Sequence, residues 1–199
     1  TVCTPSRCSF MSGWYPHVRG HRTMFHMMKP EEPVLLRTLK QNGYFVWWGG
    51  KNDLIPAGTD VYDYCDVRVT GNGPNTKSMW DVAHQDKYRG DPDGDNYYSF
   101  YFGELIPDQD EIYNDSDWVV IQEAIEFLKS PPNQPFCMFL ALTYPHPPFA
   151  VEAPWFNMID RDSLPPRIPA PEDWSKKPGI VREYYERLRL KDWEEPRWN

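Results

Sequence analysis

No run of apolar residues in this 199-residue sequence is long enough to cross a bilayer as a helix, and no secretory leader is visible. A membrane protein is therefore not expected. The compartment stays open, cytoplasmic or exported, because the sequence starts with Thr and not Met and reads as a piece of a longer protein. An excess of cationic residues is also missing. The 21 Lys and Arg face 29 Asp and Glu, a net charge of −8, which sets aside general nucleic-acid binding. Cysteine is scarce: Cys3, Cys8, Cys65 and Cys137 have neither metal-ligand spacing nor the density of a disulfide framework. Cys137 lies in an apolar run and reads as a reduced core residue. There is no internal repeat and no low-complexity tract. What is abundant is proline and tryptophan, 21 and nine residues, which points to long ordered loops with aromatic packing. The length suits one domain with a substantial core.

The first thirteen residues, Thr1 to Gly13, carry the densest chemistry. They read as a helix start. Thr4 can cap the first turn, and Pro5 fits the first helical position, where its missing N–H would have no partner. Gly13 suits the left-handed residue that ends a short helix. Cys3 then sits just before a helix N-terminus, where free N–H groups and the dipole favour an anion. Arg7 lies about one turn on and adds a positive group.

Two helix-then-strand units follow. Residues 31–43 have the apolar spacing of a helix, with Glu31 and Glu32 in its first turn, Leu35, Leu36 and Leu39 on one face, and Asn42-Gly43 as the stop. Residues 44–48 read as a buried strand that runs into Gly49-Gly50-Lys51-Asn52-Asp53. Residues 116–130 read as a second helix, capped by Asp115 or Ser116, with Val119, Val120, Ile121, Ala124, Ile125 and Leu128 inward. Residues 135–143 are the most apolar run in the chain and predict a buried central strand, leading into Tyr144-Pro145-His146. This order predicts an α/β fold. In open α/β sheets ligands bind beyond the carboxyl ends of strands. Lys51 and His146 each lie just past such an end, so two separate strands deliver polar groups to one edge.

The rest is less regular. Residues 14–30 hold His17, His21 and His26 with Arg19 and Arg22. They form either a cationic wall for an anionic substrate or a loop whose side chains bond local carbonyls. Residues 55–115 are polar and acidic, with one strand expected between Val61 and Val69, and read as a loop-rich insert near the substrate pocket. Within it, residues 89–96 alternate oxygen ligands with Gly but lack the distal Glu of a calcium loop, and read as an acidic turn. Residues 147–178 are Pro-rich and read as irregular. Residues 179–193 predict a helix with Tyr184, Tyr185, Leu188 and Leu190 inward.

Several of these segments carry a resemblance. Cys3-Thr4-Pro5-Ser6-Arg7 with Met11-Ser12-Gly13 resembles the signature of the type I sulfatases of the alkaline-phosphatase superfamily. Tyr15-Pro16-His17 with Gly20, Gly50-Lys51, Pro145-His146-Pro147-Pro148 and Arg182-Glu183-Tyr184-Tyr185 are similar to later segments of that family. The resemblance implies an alkaline-phosphatase-like sandwich with a mixed, mostly parallel central sheet. Residues 1–199 would be part of one catalytic domain, with an N-terminal strand and a C-terminal part outside the sequence. It implies that Cys3 is oxidised to formylglycine by a maturation enzyme, and that the hydrated aldehyde attacks the sulfur of a small sulfate ester (of a sugar, an aryl or an alkyl alcohol). Arg7 and Lys51 would neutralise charge, His146 would bind the ester oxygen and protonate the leaving group, and His21 and Arg22 would join Lys51 and His146 around the substrate. A divalent cation, calcium above all, is implied too, with residue 3 as formylglycine among its ligands and the others outside these residues. On that reading the 199 residues alone neither hold the metal tightly nor turn over.

The resemblance breaks at Asp53, where the family carries His two residues after the Lys. That His is the base that deprotonates the hydrate when sulfate leaves. Asp53 can serve as the base, recognise a substrate group, or simply turn the chain. The substitution leaves room for a phosphonate or phosphate ester hydrolase of the same superfamily. An unoxidised Cys3 would instead make the protein a non-catalytic binding module.

Overall fold

The computed structural model describes residues 2–73, 76–78, 101–105, 114–166 and 171–187. The chain divides into two compact units, Thr1–Asp81 with Ile112–His146, and Val82–Glu111 with Pro147–Asn199. The expected acidic turn at 89–96 lies outside the described residues.

The first unit is a parallel sheet with helices on both faces. Strand β1 (Phe45–Gly50) lies between β2 (Val67–Val69) and β4 (Phe136–Ala141), parallel to both. The expectation that 135–143 forms the central strand is corrected: β1 is central, and β4 lies at an edge among the described residues, with Phe136 and Leu140 exposed. A continuous apolar run marks burial on both faces but does not say which strand has two neighbours.

Alternation along β1 sends its two tryptophans to opposite faces. Trp48 packs with Cys8 and Met11 of helix α1 (Cys3–Ser12), Leu36 of α2 (Leu35–Gln41), and Met28, Tyr64 and Cys65. Trp47 packs with Val120 and Ala124 of α3 (Ser116–Lys129). Both rings are almost wholly buried. Each contributes about 4–6 kcal/mol at the usual area coefficient.

The helix ends follow local chemistry, with three departures from the sequence reading. Helix α1 starts at Cys3 with Val2 as its cap residue, and no side chain caps it. The Thr4 hydroxyl instead donates to the Met24 carbonyl at 3.2 Å, which ties the helix to the following loop. Gly13 ends α1 in the left-handed conformation, φ 73°, as expected. Helix α2 starts four residues later than the apolar spacing suggests. Pro33 disfavours helical backbone at Glu32, and the Glu32 carboxylate is occupied elsewhere. It accepts the Lys29 N–H at 2.8 Å and faces His21. Helix α3 is capped by Asp115, which accepts the Trp118 N–H at 2.9 Å. Its buried face is narrower than expected: Val120 and Ala124 are buried, but Ile125 and Leu128 are exposed.

In the second unit, β3 (Tyr101–Leu105) pairs in parallel with β5 (Phe149–Glu152), and the short helix α4 (Ala153–Phe156) follows. The Pro-rich stretch is therefore not wholly irregular. It contains a strand, a helical turn and two 3₁₀ turns, each of the latter capped by an Asp side chain. Helix α5 spans Gly179–Arg187, with Tyr185 against the Trp174 ring and Tyr184 exposed, against the inward placement expected for it. Leu188 and Leu190 lie outside the described residues.

Candidate active site

The site grows from the carboxyl end of β1. Gly50 leaves the strand at φ 86°, a conformation that favours Gly, and a side chain there would run into the Ala141 carbonyl. This close approach lets the Lys51 N–H donate to the same carbonyl at 2.7 Å. Arg68 of β2 clamps the exit. Its guanidinium stacks over the Trp48 ring at 4.8 Å, and it donates to the carbonyls of Trp48, Gly50 and Val69. Burial pulls its pKa down from the usual arginine range, but three carbonyl acceptors suit the protonated form.

From this fixed base the Lys51 side chain reaches the start of α1. Its Nζ lies 3.7 Å from the Cys3 sulfur and 2.9 Å from Asp53 Oδ2. Asp53 is the described non-Gly residue with positive φ, 45°. Strain of this kind persists only where neighbours over-determine it, and here Asn52 does so. Its side-chain oxygen accepts the N–H groups of Leu54 and Ile55 at 3.1 and 3.0 Å, and its amide donates to the Ile55 carbonyl at 2.7 Å. Cys3, Lys51 and Asp53 thus form one connected cluster built from two elements 48 residues apart.

His146 is placed by a buried carboxylate. Asp117, in the first turn of α3, is only 6% exposed. It accepts the Thr143 N–H with both oxygens, at 2.8 and 2.7 Å, and the Tyr144 N–H at 2.9 Å. The His146 N–H in turn donates to the Thr143 carbonyl at 3.0 Å. The loop that leaves β4 is thereby folded back over the start of α3. Lys51, Asp53 and His146 line one open cavity of about 650 Å³, together with Met24 and the loop after β2.

Other expected site residues lie elsewhere. His21 does not line this cavity. It is 2% exposed, with Nδ1 on the His26 carbonyl at 2.8 Å and Nε2 3.0 Å from the Glu32 carboxylate. His21 is thus held in a buried pair with Glu32, away from the residues that line the cavity. His26 pairs with the Thr23 hydroxyl and His17 stacks on Tyr15, which favours the local-bonding reading of this loop. Arg22 is exposed and Arg7 is partly exposed on α1, and neither lines the cavity.

The model of the sulfatase family matches residues 1–188. The chain belongs to the sulfatase family. No curated protein matches it. Membership makes the protein a sulfatase-type hydrolase, and the parallel α/β sheet with Lys51 and His146 beyond its strand ends fits part of an alkaline-phosphatase-like fold. Asp117, Arg68 and Asn52 escaped the sequence reading of this sulfatase. Asp117 lies in the first turn of α3, and its partners lie 26 and 27 residues away. The calcium implied by the resemblance has no ligand set among the described residues, where no group of three or more His, Cys, Asp or Glu could hold a metal. No step is therefore assigned to a metal. Among the described residues no helix is long and apolar enough to cross a membrane.

Proposed function

We propose that this sulfatase hydrolyses a sulfate monoester, with the side chain of residue 3 as nucleophile. The observation that carries the reading is the cavity lined by Lys51, Asp53 and His146, with the Cys3 sulfur 3.7 Å from Lys51 Nζ although Cys3 itself does not line the cavity. A sulfate ester is an anion that resists a second anion, so attack needs cationic neutralisation and an acid for the departing oxygen. Oxidised to formylglycine by a maturation enzyme, residue 3 would supply a hydrated aldehyde, with one hydroxyl to attack sulfur and one to release it.

The remaining roles fall to the chain's own residues. Lys51 holds the sulfate oxygens beside residue 3, with Arg7 one turn along α1 as a second positive group. His146 donates a proton to the ester oxygen as the S–O bond breaks. Asp53, paired with Lys51, fixes the direction of the ammonium and is the nearby carboxylate able to take a proton when sulfate leaves.

The test is leaving-group dependence, measured on the matured protein at its natural length. Replacing His146 by Ala should cost about 10²–10⁴-fold in kcat/KM for an alkyl sulfate, and far less for nitrophenyl sulfate, whose phenolate leaves unprotonated. Equal losses on both would remove His146 from the acid role. A higher kcat/KM on an aryl phosphonate than on the aryl sulfate would favour the phosphonate hydrolase reading, for which Asp53 leaves room.

A further inference from the structure

We propose that the wall of the cavity facing Lys51 and His146 binds the alcohol part of the substrate, and that this part is a polyhydroxylated sugar. The proposal rests on the sulfatase reading of the same cavity and names its substrate class. Three parallel strands end together here: β1 delivers Lys51, β4 delivers the loop to His146, and β2 delivers Thr70. Beyond Thr70 the chain adds Asn72, Thr76 and Ser78 to the lining, and the start of α3 adds Ser116. These are hydroxyl and amide groups, each able to donate and to accept, which is what a ring of alternating hydroxyls requires.

The described lining has little to offer an aromatic leaving group. Among the described residues it contains no Phe, Tyr or Trp, and Met24 is its one large apolar side chain. Sites for flat apolar ligands are walled by aromatic and aliphatic side chains. The volume of about 650 Å³ leaves room for a sugar ring beside the sulfate.

The wall is also held in place before any ligand arrives. Gly71 has φ 79° and packs so closely on the Ser116 carbonyl that a side chain there would collide with it. The Thr76 hydroxyl accepts the Gly73 N–H at 2.9 Å, which leaves its own hydrogen to donate. The Lys77 N–H donates to the Asn114 carbonyl at 2.8 Å, just before α3. Fixed donors and acceptors bind without a large ordering cost.

Calorimetric titration of the protein at its natural length tests this without requiring turnover. The ligands are inorganic sulfate, nitrophenyl sulfate, and the sulfates of glucose, galactose and N-acetylglucosamine. At least one sugar sulfate should bind about tenfold or more tighter than nitrophenyl sulfate. The double variant Asn72→Ala with Thr70→Val, which leaves the bonds of Thr76 and Lys77 intact, should weaken that sugar sulfate by about 10–100-fold, at roughly three- to tenfold per lost hydrogen bond. Nitrophenyl sulfate should change less than about twofold, since it makes neither bond. The inference falls alone if nitrophenyl sulfate binds as well as every sugar sulfate, or if the variant weakens both classes equally. If neither inorganic sulfate nor any ester binds, the sulfatase reading falls and takes this inference with it.

Discussion

Replacing Asp117 tests how the site is held together. Its carboxylate is buried and satisfies two backbone N–H groups, those of Thr143 and Tyr144, through three contacts of 2.7–2.9 Å. Asp117→Ala strands both donors under the loop that carries His146. Each buried unsatisfied donor costs about 1–3 kcal/mol. Water entering the space left by the carboxylate offsets part of this, so the loss of stability should be about 2–4 kcal/mol. Asp117→Asn is a more selective change. Oδ2 already reaches both N–H groups, so one amide oxygen in its place can keep both bonds; the charge assistance is lost and the amide nitrogen, in the place of Oδ1, sets a donor against the Thr143 N–H, a cost of about 1–2 kcal/mol. Urea unfolding of the two variants should give that order. Displacing His146 by about 1 Å can cost on the order of 10²-fold in rate. The Ala variant should therefore lose activity on alkyl sulfates more than on nitrophenyl sulfate, as the His146 variant does. An Ala variant within about 0.5 kcal/mol of the parent, the usual range for surface positions, and with unchanged leaving-group dependence would refute the positioning role.

Four further outcomes are expected. Gly50→Ala should destabilise by about 2–4 kcal/mol in denaturant titration, because it combines a left-handed backbone with a collision at the Ala141 carbonyl; a neutral result would mean that the exit from β1 is looser than described. Burial pushes the Cys8 and Cys65 thiols up to about 11, so in folded protein made without the maturation enzyme they should resist iodoacetamide at pH 8 while the partly exposed Cys3 reacts, as read by peptide mass spectrometry. The neutral thiols favour the folded state. Their contribution is complete below the ordinary value of 9.0 and is lost as pH rises through about 11, so the unfolding midpoint should fall across that window and not below it. His21→Ala, which strips the partner from the buried Glu32 carboxylate, should cost about 3 kcal/mol in stability and leave KM for the sulfate ester unchanged; a raised KM would return His21 to the substrate.

Much of this was legible in the sequence wherever a local rule governs. Apolar spacing with Asp115 as cap is enough for α3, the run before Thr143 for β4, and Gly13 for the end of α1. The exits carrying Lys51 and His146 follow from strand ends in an α/β order. The failures have a common cause, which is partners distant in sequence. Thr4 looks like a cap, but Met24, twenty residues on, takes its hydroxyl. Glu32 looks like a first-turn acid, but His21 draws it inward. The most apolar strand looks central, but strand order depends on which neighbours pair, and β1 has two. Asp117 and Arg68 carry no local signature at all, because their carboxylate and guanidinium serve backbone groups 18 to 27 residues away as well as nearer ones.

The most direct measurement is the mass of the peptide that carries residue 3, taken from protein made in its natural host. A loss of mass that matches conversion of the thiol to an aldehyde, together with turnover of a sulfate ester that disappears in Cys3→Ala, is the result expected of a formylglycine sulfatase. An intact thiol at Cys3 in protein that still hydrolyses sulfate esters would contradict the nucleophile assignment, and an intact thiol without turnover would make the cavity a binding site.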